Sequence, residues 1–145
     1  MDSLEEDYQA FRINAPEEIP FWVWLMENPD SPLPFPGQVN LKHHDLIHIL
    51  LGVGVSQEEE ALVVGWTLGN DPNLKRWHIP LFLWVARTLY PDPYRFREQD
   101  ISPFYQGLEW GKRCPYLNQI DTNQTAETVR EEYGIPTQKE SLRQG

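Results

Sequence analysis

Asn40-Leu41-Lys42-His43-His44-Asp45-Leu46-Ile47-His48-Ile49-Leu50-Leu51-Gly52, followed shortly by Ser56-Gln57-Glu58-Glu59-Glu60, reads as two helices and the bend between them. Asn40 suits an N-cap, because its side chain accepts from free N–H groups of the first turn. Gly52 is the residue type that ends helices. Ser56 and Glu59 make a Ser-x-x-Glu capping pattern, so the second helix begins at Gln57. Residues four apart share a helical face, and residues three apart are close neighbours. His44 and His48 therefore point the same way, with Asp45 beside His48. Antiparallel helices joined by so short a bend bring Glu60 back beside His48. Two imidazoles and a carboxylate on one turn, His44, Asp45 and His48, with a further carboxylate from the start of the next helix, predict a divalent-metal site; among the three acids there, Glu60 is distinguished as the fourth ligand only by the motif spacing given below. Such mixed ligands suit zinc first, with iron and manganese as alternatives. Structural zinc sites favour cysteine, so the set points to chemistry.

Neighbouring residues have plainer readings. Glu58 and Glu59 are acids favoured at a helix N-terminus. His43 lies about 100 degrees around the helix from His44, off the ligand face. His78, in Trp77-His78-Ile79 before an apolar helix, reads as structural. The four histidines at 43, 44, 48 and 78 leave no upstream ligand for an HD-type phosphohydrolase. Cys114 has no base beside it in sequence, and no Gly-rich phosphate loop occurs.

Outward from this hairpin the chain stays helical. Pro16 to Asn28 predicts a helix carrying Phe21-Trp22-Val23-Trp24-Leu25-Met26, apolar on every face and so expected to be mostly buried. Pro29, Pro32, Pro34, Pro36 and Gly37 make a stiff connection. The second helix should end at Gly69-Asn70. Further helices are expected at about Pro80–Tyr90, where Leu81, Phe82, Leu83, Trp84 and Val85 form core, at Pro103–Lys112, and at Gln124–Tyr133. Residues 1–14 and 136–145 are expected to be loosely ordered. Strand alternation is weak throughout, so the expectation is an all-α, single-domain helical bundle with the metal-motif hairpin at its centre.

Composition limits the partners. The 145 residues carry a net charge of -10, which argues against nucleic acid and against broad adhesion to anionic lipid. The single cysteine allows no internal disulfide and fits a reducing compartment. No apolar run approaches the roughly 20 residues of a membrane span. The acidic start, Met1-Asp2-Ser3-Leu4-Glu5-Glu6-Asp7, is unlike a secretory or mitochondrial leader. These features predict a cytoplasmic protein, peripheral at most on the inner membrane face.

His44-Asp45-x-x-His48, eleven residues, then Glu60 resembles the metal-binding signature of the coenzyme Q biosynthesis protein 4 family. Gly52, Ala61, Leu62 and Trp66 continue the likeness. So do Leu117, Ile120, Asp121 and Val129-Arg130-Glu131-Glu132-Tyr133-Gly134-Ile135. The resemblance covers residues 39–135. It departs in the short stretch before the motif and in the small or polar residues Thr122–Ala126, where the family carries a tryptophan.

The resemblance implies a ubiquinone-type biosynthetic role: removal of the ring carbon 1 carboxyl of a prenylated hydroxybenzoate, with zinc as Lewis acid. It also implies partners among other quinone-biosynthesis proteins. The alternative is a non-enzymatic scaffold or prenyl-lipid module with a structural metal. For the enzyme, helices bearing Trp66, Trp84 and Trp110 are expected to line an apolar cavity reaching the metal.

Overall fold

The computed structural model describes residues 2–12, 21–33, 35–92 and 94–137. Among them are seven helices and no strand: α1 (Leu4–Arg12), α2 (Phe21–Glu27), α3 (Leu41–Leu51), α4 (Gln57–Asn70), α5 (His78–Thr88), α6 (Glu98–Arg113) and α7 (Ala126–Tyr133). The fold is all-α, as the weak strand alternation implied. No helix among the described residues is long and apolar enough to cross a membrane.

The bend of the hairpin follows its local signals. The Asn40 side chain accepts from the His43 N–H at 2.8 Å. Gly52 closes α3 with a φ of 69°, a left-handed conformation that costs glycine little. Ser56 accepts from the Glu59 N–H while the Glu59 carboxylate accepts from the Ser56 N–H, a complete capping box. At the far end, Arg130 on α7 donates to the carbonyls of Leu50 and Ile49, at 2.8 and 2.9 Å, and so satisfies the last turn of α3.

The tightest packing is between α4 and α6. A Cβ built on Gly65 would lie 2.1 Å from the Phe104 carbonyl oxygen, and one on Gly69 2.1 Å from that of Leu108. From the other side, Cβ atoms on Gly107 and Gly111 would meet the carbonyl oxygens of Leu62 and Trp66 at 2.0 and 2.1 Å. The contacts advance along both helices in the same direction, so the two run parallel, with α5 as the crossover. Two Gly-x-x-x-Gly steps let the backbones touch. Asn70 then ties the ends together. Its amide donates to the carbonyls of Gly111, Cys114 and Pro115, and its oxygen accepts from the Leu117 N–H at 2.8 Å. Because α4 carries Leu62, Val63 and Trp66 into one apolar cluster and Ala61, Val64 and Leu68 into the other, it is the shared wall of the core.

Four expectations need correction. Residues 4–12 form a helix, not a loose arm: Ser3 and Glu6 cap each other at 3.3 Å, and Leu4 is fully buried. That helix is also pinned by Leu4 and Glu5 N–H groups donating to the carbonyls of Gln124 and Thr122. The fourth predicted helix starts at Glu98, not Pro103, because Asp100 accepts from the Arg97 N–H at 2.8 Å and so caps it early. On α5, Phe82, Val85 and Ala86 are buried, but Leu81 and Trp84 face outward. Of the 21–26 segment, Val23 and Met26 are buried, Trp24 and Leu25 half-buried, and Phe21 exposed. The predicted helix start at Pro16 and the 138–145 tail lie outside the described residues.

Candidate metal centre

His44 and His48 project from one face of α3, and Glu60 comes from the first turn of α4. Their ligand atoms converge. His44 Nε2 lies 3.0 Å from Glu60 Oε2, His48 Nε2 lies 3.1 Å from Glu60 Oε1, and the two Nε2 atoms are 3.2 Å apart. His48 is fully buried, while His44 and Glu60 are partly exposed. Among the described residues this is the cluster whose geometry can hold a metal ion.

The orientation of His48 is fixed from behind. Its Nδ1 lies 2.8 Å from the Gly54 carbonyl oxygen, which can only accept. Nδ1 therefore carries the hydrogen, and Nε2 of the neutral ring turns a lone pair to the cluster. Gly54 is itself held, since its N–H donates to Glu59 Oε2 at 2.6 Å. Glu59 thus does more than cap α4: it shapes the bend that sets the His48 tautomer. The Phe11 ring lies against His48, with centroids 5.3 Å apart.

These groups test well against a metal. With His48 Nδ1 spent on the Gly54 carbonyl, His48 Nε2, His44 Nε2 and the Glu60 carboxylate converge on one point, and a cation answers all three together. Their spacings of 3.0 to 3.2 Å are close to those of ligands each about 2.0–2.1 Å from one zinc ion. A backbone carbonyl behind a ligating imidazole is the usual orienting arrangement.

Without an ion, His44 and Glu60 form a charged pair. Burial works against charge on His44, but the Glu60 hydrogen bond and the charges of Glu60, Glu27 and Asp45 outweigh it and raise its pKa to about 9. Burial likewise opposes charge on Glu60, yet the hydrogen bond from His44 and the His44 charge outweigh it and bring its pKa down to about 2. The cluster is thus built to hold positive charge against a carboxylate.

The structure brings together three of the four predicted ligands. Asp45 is buried and pairs with Arg12 of α1, Nη1 to Oδ2, at 3.0 Å. One residue on from His44, it points around the helix toward α1. That arrangement depends on α1, the helix left out by the sequence reading; Ser3 and Glu6, three apart, were its available signal. His43 stands apart from the cluster, and burial, with the His44 charge next, lowers its pKa to about 4. His78 is structural, as expected: its Nδ1 accepts from the Lys75 N–H at 2.9 Å, and Phe35 meets its ring edge-on.

A cavity of about 90 Å³ opens onto this cluster, lined by Phe11, Val23, Trp24, Tyr94 and Phe96 together with His44 and Glu60. Its lining differs from expectation. Trp66 and Trp110 are buried in the core cluster around α3 and α4, and Trp84 is on the outside. Three further charged groups reach the cavity: Arg12, Asp45 and Glu27. Glu27 accepts from the Tyr90 hydroxyl at 2.6 Å, and burial raises its pKa to about 7. Nothing in the bare sequence tied Glu27 to Tyr90, 63 residues away. Set against family models, characterised proteins and solved structures, the chain matches none.

Proposed function

We propose that the protein binds one divalent ion, zinc first, at His44, His48 and Glu60, and uses it on a prenylated hydroxybenzoate in quinone biosynthesis. The reaction is loss of the ring carbon 1 carboxyl, a metal-dependent carbon–carbon lyase activity. The observation that carries this reading is the mostly apolar cavity that reaches His44 and Glu60, two of the three groups of a His-His-Glu cluster. Three protein ligands leave a position for substrate, as catalytic sites do. The ion supplies Lewis acidity toward the ring carboxylate and phenolate.

The chain's own groups account for the rest. Arg12, held by Asp45, places a second positive charge on the cavity wall for an anionic ring. Trp24, Tyr94 and Phe96 give an aromatic head its apolar walls and keep water away. The Glu27–Tyr90 pair places inside the same cavity a carboxyl whose pKa burial raises to about 7, a group able to take up or give a proton near neutral pH. A volume of about 90 Å³ suits the ring, not a whole prenyl chain, which must leave by the mouth. A prenylated substrate resides in membranes, so the protein works from the cytoplasm at the inner membrane face, beside other quinone-biosynthesis proteins.

Calorimetry with a short-chain prenylated hydroxybenzoate tests the reading. Binding should weaken at least tenfold after chelation and again for the analogue lacking the carboxyl. Equal affinity in all three arms rejects it. The alternative, a non-enzymatic scaffold or lipid module with a structural metal, is favoured by the outward Trp77 and Trp84. Turnover that requires the metal decides for the enzyme; lipid or partner binding without turnover decides for the scaffold.

A further inference from the structure

The acidity that argues against lipid adhesion is unevenly distributed. Residues 75–97 hold five of the twelve basic side chains, Lys75, Arg76, Arg87, Arg95 and Arg97, but only Asp92 of the 22 acids. That stretch is net +4, leaving -14 for the rest of the chain. It contains α5, and all five cations are exposed.

The same helix has an unusual outer face. Phe82, Val85 and Ala86 turn inward, while Trp77 at its N-cap is 58% exposed, Leu81 41% and Trp84 58%. Single exposed apolar residues are ordinary. Two tryptophans and a leucine at spacings of four and three form a continuous ridge. Arg76 and Arg87, eleven apart, share one flank of that ridge, roughly 90 degrees around the helix from it, one near each end. Arg87 reaches Glu98 at 3.6 Å, and Arg95 and Arg97 reach Asp92 at 3.9 Å. These are long, exposed pairs that hold their charges weakly.

We infer that the outer face of α5 docks on an anionic phospholipid bilayer, with Trp77, Leu81 and Trp84 in the interface and Arg76 and Arg87 on lipid phosphates. An amphipathic helix with tryptophan and leucine on one face and arginine at its margin lies in the plane of a membrane surface. α5 has eleven residues, too few to span. Charge complementarity selects this occupant: the stretch that carries the ridge is net +4, so it meets anionic headgroups. The tryptophan ridge carries the apolar part and the arginines the lipid preference. This deepens the membrane-side placement proposed above by naming its surface. It needs no metal, so either reading can fail alone.

The test is vesicle flotation of the full chain, without an affinity tag and with chelator present. Phosphatidylcholine vesicles are compared with vesicles containing roughly a third phosphatidylglycerol. The expected result is binding to the anionic vesicles only. Trp77→Ser/Trp84→Ser should abolish it with an unchanged denaturation midpoint, since both side chains are outside the core. Arg76→Gln/Arg87→Gln should weaken it by about fivefold per charge and leave the tryptophans in place. Equal binding to both vesicle types, or binding indifferent to both double variants, overturns the assignment. So does absence of vesicle binding. If that absence comes with a concentration-dependent dimer that Trp77→Ser/Trp84→Ser dissolves, the face belongs to a second copy of the chain.

Discussion

Helix α4 is two environments in one element. From Leu62 onward it lies against α6 with no space at all, so a single added methyl would enter a carbonyl oxygen. At its first turn, Glu60 faces two imidazoles and a cavity. In the first region glycine removes every side-chain atom so that backbones can meet. In the second, charged groups occupy space that apolar packing would otherwise close. A protein interior is dense enough that the two cannot be exchanged. The lesson is that the rigid half fixes the helix axis, and the open half inherits a precise position for Glu60.

The largest effect should come from breaking the closed half. Gly107→Ala places a methyl 2.0 Å from the Leu62 carbonyl oxygen and should cost about 3 kcal/mol or more. A denaturant midpoint equal to that of wild type would show that the helices can part without penalty. Metal content should fall with stability in this variant, because α4 can no longer hold Glu60 in place.

Next in size is the contribution of the ion to the open half. Metal at about one hundred times its dissociation constant should stabilise the fold by about 2.7 kcal/mol. Chelation should therefore lower the melting temperature of wild type and leave His48→Ala unmoved. An equal chelator effect in both proteins would place the bound metal elsewhere.

Much of this was legible in the sequence, and the reason differs between the two halves. Asn40, Gly52, Ser56 and Glu59 are local signals acting within one turn, and the structure places both helix ends where they do. The shared face of His44 and His48 follows from helical geometry and the return of the next helix from a short bend, whereas Glu60 is singled out from Glu58 and Glu59 only by the spacing of the family motif that this stretch resembles. Asp45 was misread because its partner, Arg12, sits on a helix 33 residues away, and spacing on one helix cannot see a neighbour. Gly65, Gly69, Gly107 and Gly111 make two Gly-x-x-x-Gly steps that the sequence reading passed over, taking Gly69 only as part of a helix end, because read alone a helical glycine signals only weakness. Their meaning appears when the two helices are paired. Leu81 and Trp84 of α5 misled for the reverse reason, since an apolar run does not say which side faces out.

A smaller effect separates Glu59 from its neighbours. Glu59→Ala removes the capping box and the tie to the Gly54 N–H. It should cost about 1 kcal/mol of stability. It should also weaken metal binding by about tenfold or more, as the loss of orienting partners does. Glu58→Ala should do neither. Isothermal titration with zinc and urea unfolding read the two effects separately.

The pH dependence is the finest test. In the metal-free protein, His44 is raised from 6.5 to about 9, so its contribution is full below 6.5 and is lost as pH rises through 9. Glu27, raised from 4.5 to about 7, acts in the same direction, full below 4.5 and lost through 7. Glu60, lowered to about 2, contributes above 4.5 and loses that only as pH falls toward 2. Metal-free stability should therefore decline on the alkaline side, whereas metal affinity should rise toward pH 9 as the ion displaces the His44 proton. Parallel slopes for the two would refute the assignment of His44 as a ligand.

The most direct measurement is elemental analysis of the chain purified without an affinity tag, for wild type and five single variants. The account predicts about one divalent ion per chain, lost in His44→Ala, His48→Ala and Glu60→Gln. It predicts retention in His43→Ala and in Asp45→Asn, whose carboxylate belongs to Arg12. Equal metal in all six proteins, or loss confined to Asp45→Asn, would contradict it.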